Sequence, residues 1–168
     1  MGPLRDGSHE HWHHHFQFES LLGLAASFLI MLVAWFSVVP GLLSRRLLRI
    51  SLVALFSWLL LYVLGLYEPA LEPSMHGKRE HCYFESFLYS VPPLLLAFFL
   101  MSRRFALQQW RSGLLMGLAA GVMPALFMQF ACMYDPLHIL QLHILPAFIC
   151  GLLGALFFPV ANKWLRKS

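Results

Sequence analysis

The sequence predicts an all-α fold: a polytopic transmembrane helix bundle of five spans, N-terminus outside and C-terminus inside. Three observations carry this. Of 168 residues, 59% are hydrophobic and 12% charged, and a soluble domain carries about 25% charged residues. Five stretches are apolar, nearly free of charge and about 20 residues long, the length that crosses roughly 30 Å of hydrocarbon. The basic residues are also distributed very unequally between the two sets of connections. A soluble enzyme of 19.3 kDa would have too little polar surface to cover itself.

The first span is read from Ser20 to Leu43. It is long for a signal-peptide core, and His, Glu and Gln precede it in place of a basic region, so it is a span and not a cleaved leader. The second is centred on Ile50 to Tyr67, the third runs Ser86 to Ser102, the fourth Ser112 to Tyr134 and the fifth Leu140 to Asn162. Helices are required because lipid offers backbone groups no partner. A β-barrel would show short alternating segments, and these runs are continuous. Residues 1–19 read as a His-rich outer tail ahead of a bundle over residues 20–168.

Orientation follows from arginine and lysine. Arg45, Arg46, Arg49, Arg103, Arg104, Arg111, Lys163, Arg166 and Lys167 share one side, against Arg5, Lys78 and Arg79 on the other. The first side is therefore cytoplasmic. The net +4 and the pI of 9.2 express this topology and not contact with nucleic acid. All eight carboxylates and all nine histidines then fall at the outer side, with Cys82 and Cys132. Cys150 lies within a span as a small core residue.

Gly113, Gly117 and Gly121 form a small-residue ladder in the fourth span, read as packing within the chain. Gly151, Gly154 and Ala155 answer it in the fifth. Pro92, Pro93, Pro124 and Pro146 each remove a helical donor and are expected to kink their spans.

The chemistry concentrates at the outer ends of the third and fourth spans. Cys82 follows His81, and Asp135, His138 and His143 follow Cys132 within eleven residues. Three readings stay open. The thiols form a disulfide in an oxidising compartment, the thiolates and imidazoles bind a soft or borderline ion such as Cu(I), Zn(II) or Cd(II), or the residues merely cap helix ends. His138 and His143 are five apart and so about 140° apart on an α-helix, which argues against a preformed two-histidine site. The tract His9, His11, His13, His14, His15 is a candidate accessory metal binder, although its composition also fits a leader of no fixed structure. Arg103, Arg104 and Arg111 are candidates for contact with a cytoplasmic partner.

Several classes are excluded. A bis-histidine haem bundle needs histidines deep in facing helices, and the second and third spans have none. Thiol oxidoreductases usually carry C-x-x-C. Secondary transporters show broken inverted repeats and buried carboxylates. No catalytic residue is expected.

The order of elements from Cys82 onward resembles one family. Cys82 opens a span continuing Leu88-Tyr89-Ser90-Val91-Pro92-Pro93, and Arg103-Arg104 follow at its inner end. The glycine-rich span ends in Cys132, with Asp135 three residues on. The last span carries Gly151-Leu152-Leu153-Gly154-Ala155-Leu156 and ends in basic residues. This is similar to the NrsF-type bacterial membrane anti-sigma factors, over roughly Leu21 to the end. The resemblance implies an inner-membrane protein that holds an extracytoplasmic-function sigma factor and releases it under heavy-metal or oxidative stress. Cys82 and Cys132 would be the sensing residues. Members typically have six spans, and the family's cytoplasmic N-terminal segment and first span have no counterpart here.

The expectation is thus a transcription regulator of a stress response, with a sigma factor and the bilayer as partners. No cofactor is obligatory, and Cu, Zn or Cd serves as signal. The alternatives are a periplasm-facing copper- or zinc-binding protein and a packing subunit of a membrane complex.

Overall fold

The computed structural model describes residues 8–39, 41–67, 81–102, 108–132 and 135–165, with the side chains of 8–15, 102 and 165 outside the description. Among the described residues every regular element is helical: α1 (Ser8–Ser37), α2 (Arg45–Gly65), α3 (Cys82–Ser102), α4 (Gln109–Ala131), a short α5 (Pro136–His138), a π-helical segment (Ile139–Ile144) and α6 (Leu145–Leu165). Among the described residues five helices are long and apolar enough to cross a membrane, the fifth running continuously over Pro136–Trp164.

The helix ends depart from the apolar runs for local reasons. α1 stops at Ser37, six residues short of the expected Leu43. Pro40 follows, which disfavours helix in the residue before it, and Gly41 turns the chain at φ +78°. α2 starts at Arg45 because Ser44 caps it, its hydroxyl accepting from the Arg46 N–H at 3.2 Å. α3 starts a turn earlier than expected, at Cys82, with Glu85 in a first turn whose positive dipole end favours a carboxylate. α1 runs unbroken from Ser8 through the tail-to-bundle boundary expected at residue 19, so the His9–His15 tract lies on the same helix as the first span.

α4 is the axis of the bundle. Two thirds of its most apolar stretch is buried, and it packs against α1, α3 and α6. The glycine ladder decides how closely α6 approaches. A Cβ at Gly113 or Gly117 would overlap the backbone of Gly154 or Cys150, and one at Gly121 would lie 2.5 Å from the Ala147 Cα. The ladder is therefore spent within the chain, as its spacing suggests.

A second core lies between α1, α2 and α4. Trp58 and Tyr62 meet edge to face at 5.7 Å, and Gly23 allows Trp58 and Leu126 to close over α1. Outward-facing Phe28, Trp35, Leu60 and Leu156 are exposed on the bundle's flanks, where hydrocarbon would cover them. At one end the Ser112 hydroxyl donates to the Ser37 carbonyl at 3.1 Å, satisfying an acceptor that the end of α1 leaves open.

The two ends differ in charge. Arg45, Arg46, Arg49, Arg111 and Lys163 sit where α1 and α6 end and α2 and α4 begin. Glu19, Glu85 and Asp135 sit at the opposite end, with Cys82 and Cys132. The remaining basic residues fall outside the described segments.

Candidate metal and thiol centre

Three helix ends build the site. The Glu85 N–H donates to the His81 carbonyl at 2.9 Å, so the first turn of α3 closes around Cys82, which is fully buried. At the far end of α4 the Cys132 N–H still bonds to the Met128 carbonyl, but the backbone there is extended. Asp135 then starts the fifth span: its carboxylate accepts from the Leu137 N–H at 3.1 Å, and Pro136 occupies the first helical position, where no donor is missed. Pro136 also rests against the end of α2, 3.2 Å from where a Cβ on Gly65 would stand.

These ends bring Cys82 and Cys132 together, Sγ to Sγ at 2.9 Å, both as free thiols. His138 reaches the pair, its Nε2 3.3 Å from the Cys132 sulfur. His143 completes the group, fully buried. One ligand atom from each of Cys82, Cys132, His138 and His143 lies within 4.8 Å of all the others.

The two histidines overturn the expectation drawn from α-helical geometry. Their rings meet edge to face at 5.1 Å. The cause is the π-helical segment, in which the Leu145 N–H bonds to the Leu140 carbonyl five residues back. Five-residue spacing then places two side chains on one face, whereas an α-helix would separate them by about 140°.

His81 and Asp135 do not join the group. Asp135 caps α5, and His81 is exposed in the turn before α3. The side chains of His9, His11, His13, His14 and His15 lie outside the described residues, as do Arg103 and Arg104. Arg111 lines a cavity at the other end of the bundle. Cys150 is buried where α6 meets Gly117, away from the other two thiols. One residue near the site escapes sequence reasoning. Gln129, one turn before Cys132, is buried with neither amide atom hydrogen-bonded. A lone amide in an apolar span was its signal.

The donor set fits a metal ion. Two thiols and two imidazoles are the ligand set of a common zinc site, and thiolate also suits softer ions. Both ring nitrogens of His143 are buried without a hydrogen-bond partner, a cost of roughly 1–3 kcal/mol that a ligand would relieve. Cys82, Cys132, His138 and His143 would hold such an ion, with the two sulfurs as thiolates and the imidazoles neutral. A disulfide needs the pair to close to about 2.05 Å.

A family described as NrsF, negative regulator of sigma F, matches residues 1–164. The chain belongs to the NrsF family. The match begins at residue 1, ahead of Leu21 where the resemblance in the sequence begins, and takes in all five candidate spans. This family member is accordingly a helical membrane protein and a negative regulator with a sigma factor as partner. No curated protein and no solved structure matches the chain.

Proposed function

We propose that the chain restrains an extracytoplasmic-function sigma factor at the bacterial inner membrane, and that Cys82, Cys132, His138 and His143 receive the signal that ends the restraint. The observation that carries the reading is the convergence of four soft-metal donors within 4.8 Å, at the junction of three helices. The basic residues at the opposite end support a cytoplasmic assignment for that end, which leaves the donors facing outward.

The input is Zn(II), Cd(II) or Cu(I), or a two-electron oxidant such as a peroxide or a small disulfide. On metal entry the thiols lose their protons and the imidazoles bind through neutral nitrogens. On oxidation the two thiols release two protons and pass two electrons to the oxidant, and a sulfur–sulfur bond forms. Both events tie the start of α3 to the end of α4. These two helices are consecutive in the chain, separated by residues 103–107, so their relative shift carries to that connection and to Arg111 at the start of α4.

The energy available is sufficient. A full set of four zinc ligands binds with about 10–16 kcal/mol. Turning a 1:99 population into 99:1 needs about 5.5 kcal/mol of difference between two states. A restraining state that presents only part of the set would meet that requirement.

The test is sigma-dependent transcription in cells carrying the full-length chain, exposed to cadmium, zinc, copper or diamide. Cys82→Ser and Cys132→Ser should each leave transcription repressed under every challenge. A full response from both variants would sink the proposal.

A further inference from the structure

The charged end of the bundle contains a built cavity. It has a volume of about 450 Å³ and lies between the end of α1 and the starts of α2 and α4. Arg45, Arg49 and Arg111 line it, with Gln108 and Ser112 between them. The arginines come from two separate helices. Arg111 is steadied by the Gln108 side-chain oxygen, which accepts from it at 3.2 Å.

No described carboxylate neutralises this charge. Among the described residues the carboxylates Glu19, Glu85 and Asp135 all belong to the other end of the bundle. No ion pair to any of the three arginines occurs among the described residues. Two helix N-termini, those of α2 and α4, open at the same place and add their own positive potential. Three guanidinium groups gathered around one cavity present the forked donor geometry that phosphate oxygens match.

A second cavity distinguishes the kind of phosphate. A cleft of about 270 Å³ lies between α1 and α3, lined by the apolar side chains of Trp35, Val38, Leu100 and Met101. Val39 lines both it and the arginine cavity. A charged chamber that shares a wall with an apolar cleft on the flank of a spanning helix suits an amphiphile with an anionic head and a hydrocarbon tail. A soluble phosphate would use the first cavity and leave the second without purpose.

We propose that this cavity is a specific site for an anionic phospholipid, whose phosphodiester sits among Arg45, Arg49 and Arg111 while one acyl chain follows the Trp35–Met101 cleft. Basic pockets between membrane helices hold lipid head groups in this way. The bound lipid links the α1–α2 connection to the start of α4.

The test uses the full-length chain in mild detergent, delipidated and then offered phosphatidylglycerol or phosphatidylcholine, with bound lipid counted by native mass spectrometry. The wild type should retain one phosphatidylglycerol at least tenfold more strongly than phosphatidylcholine. R45Q/R111Q should lose that preference, and R45K/R111K should keep part of it. Arg46 is exposed on the same helix end and does not line the cavity, so R46Q should behave as wild type. Three results would overturn the proposal. The first is equal retention of the two lipids. The second is loss of preference in R46Q as large as in R45Q/R111Q. The third is displacement of lipid by millimolar inorganic phosphate or by a Glu-rich peptide, which would make the cavity a soluble-anion or acidic-segment site. L100W, which fills the apolar cleft without touching charge, should also weaken phosphatidylglycerol retention, and unaltered retention would remove the acyl-chain half of the assignment.

Discussion

His138 and His143 face one another edge to face at 5.1 Å although five residues separate them in the chain. Only the π-helical turn between them allows this. π-turns inside α-helices are uncommon and often mark functional sites. Here the turn aims a buried imidazole, with no hydrogen-bond partner of its own, at two thiols.

Adding one residue to that turn should therefore uncouple the histidines. An alanine inserted after Gln141, which is exposed, sets His138 and His143 six residues apart, about 120° apart on an α-helix. Zinc affinity, read by competition with a chromophoric chelator, should fall at least tenfold. Deletion of Gln141 leaves them four apart, about 40° on an α-helix, and should keep most of the affinity. Unchanged affinity in the insertion variant would mean that the two imidazoles do not share the ion.

His143→Leu separates the cost of the site from its benefit. The imidazole is fully buried with both nitrogens unsatisfied, and an apolar side chain of similar bulk removes a penalty of about 1–3 kcal/mol. The metal-free thermal midpoint in detergent should rise or hold. The stabilisation that excess zinc provides, about 2.7 kcal/mol at a hundred times Kd, should shrink sharply. A variant less stable without metal and still stabilised by it would contradict this.

The three thiols should divide two to one. Cys82 and Cys132 are in contact, whereas Cys150 is buried in the α4–α6 seam. After diamide treatment and denaturation, mass-tagged maleimide should find one free thiol in the wild type. Cys150→Ala should find none and should keep its transcriptional response. Two or more free thiols in the oxidised wild type would exclude the pairing.

Gly117→Val should destabilise the bundle by about 1–3 kcal/mol or more, because its side chain would overlap the Cys150 carbonyl. The detergent thermal midpoint should drop well below that of Gly41→Ala. Gly41 has open space around it, and its positive φ alone costs an alanine about 1–2 kcal/mol. Similar midpoints for the two variants would show that α6 does not approach α4 as closely as described.

Much of the fold was legible because hydrocarbon imposes simple demands. Five uncharged runs required five helices, and Gly113, Gly117 and Gly121 announced a close helix contact that α6 fills. The helix ends were less legible. Ser44 and Glu85 begin helices in polar sequence, where hydropathy carries no signal. Cys82 and Cys132 could be placed at outer helix ends from topology alone. His143 could not be added, because a period of 3.6 residues rotates it away and nothing in Ile139–Ile144 marks the wider turn. The meeting of Arg45 and Arg49 with Arg111 was equally hidden. It depends on α2 and α4 starting side by side, a relation between distant segments.

The most direct test of the account is co-purification of the full-length chain, extracted in mild detergent from its native cell, with sigma factors identified by mass spectrometry before and after zinc or cadmium. The account predicts a sigma factor bound at rest, released by metal from the wild type and retained by Cys82→Ser and Cys132→Ser. Release from the cysteine variants as complete as from the wild type, or no sigma factor at rest, would contradict it.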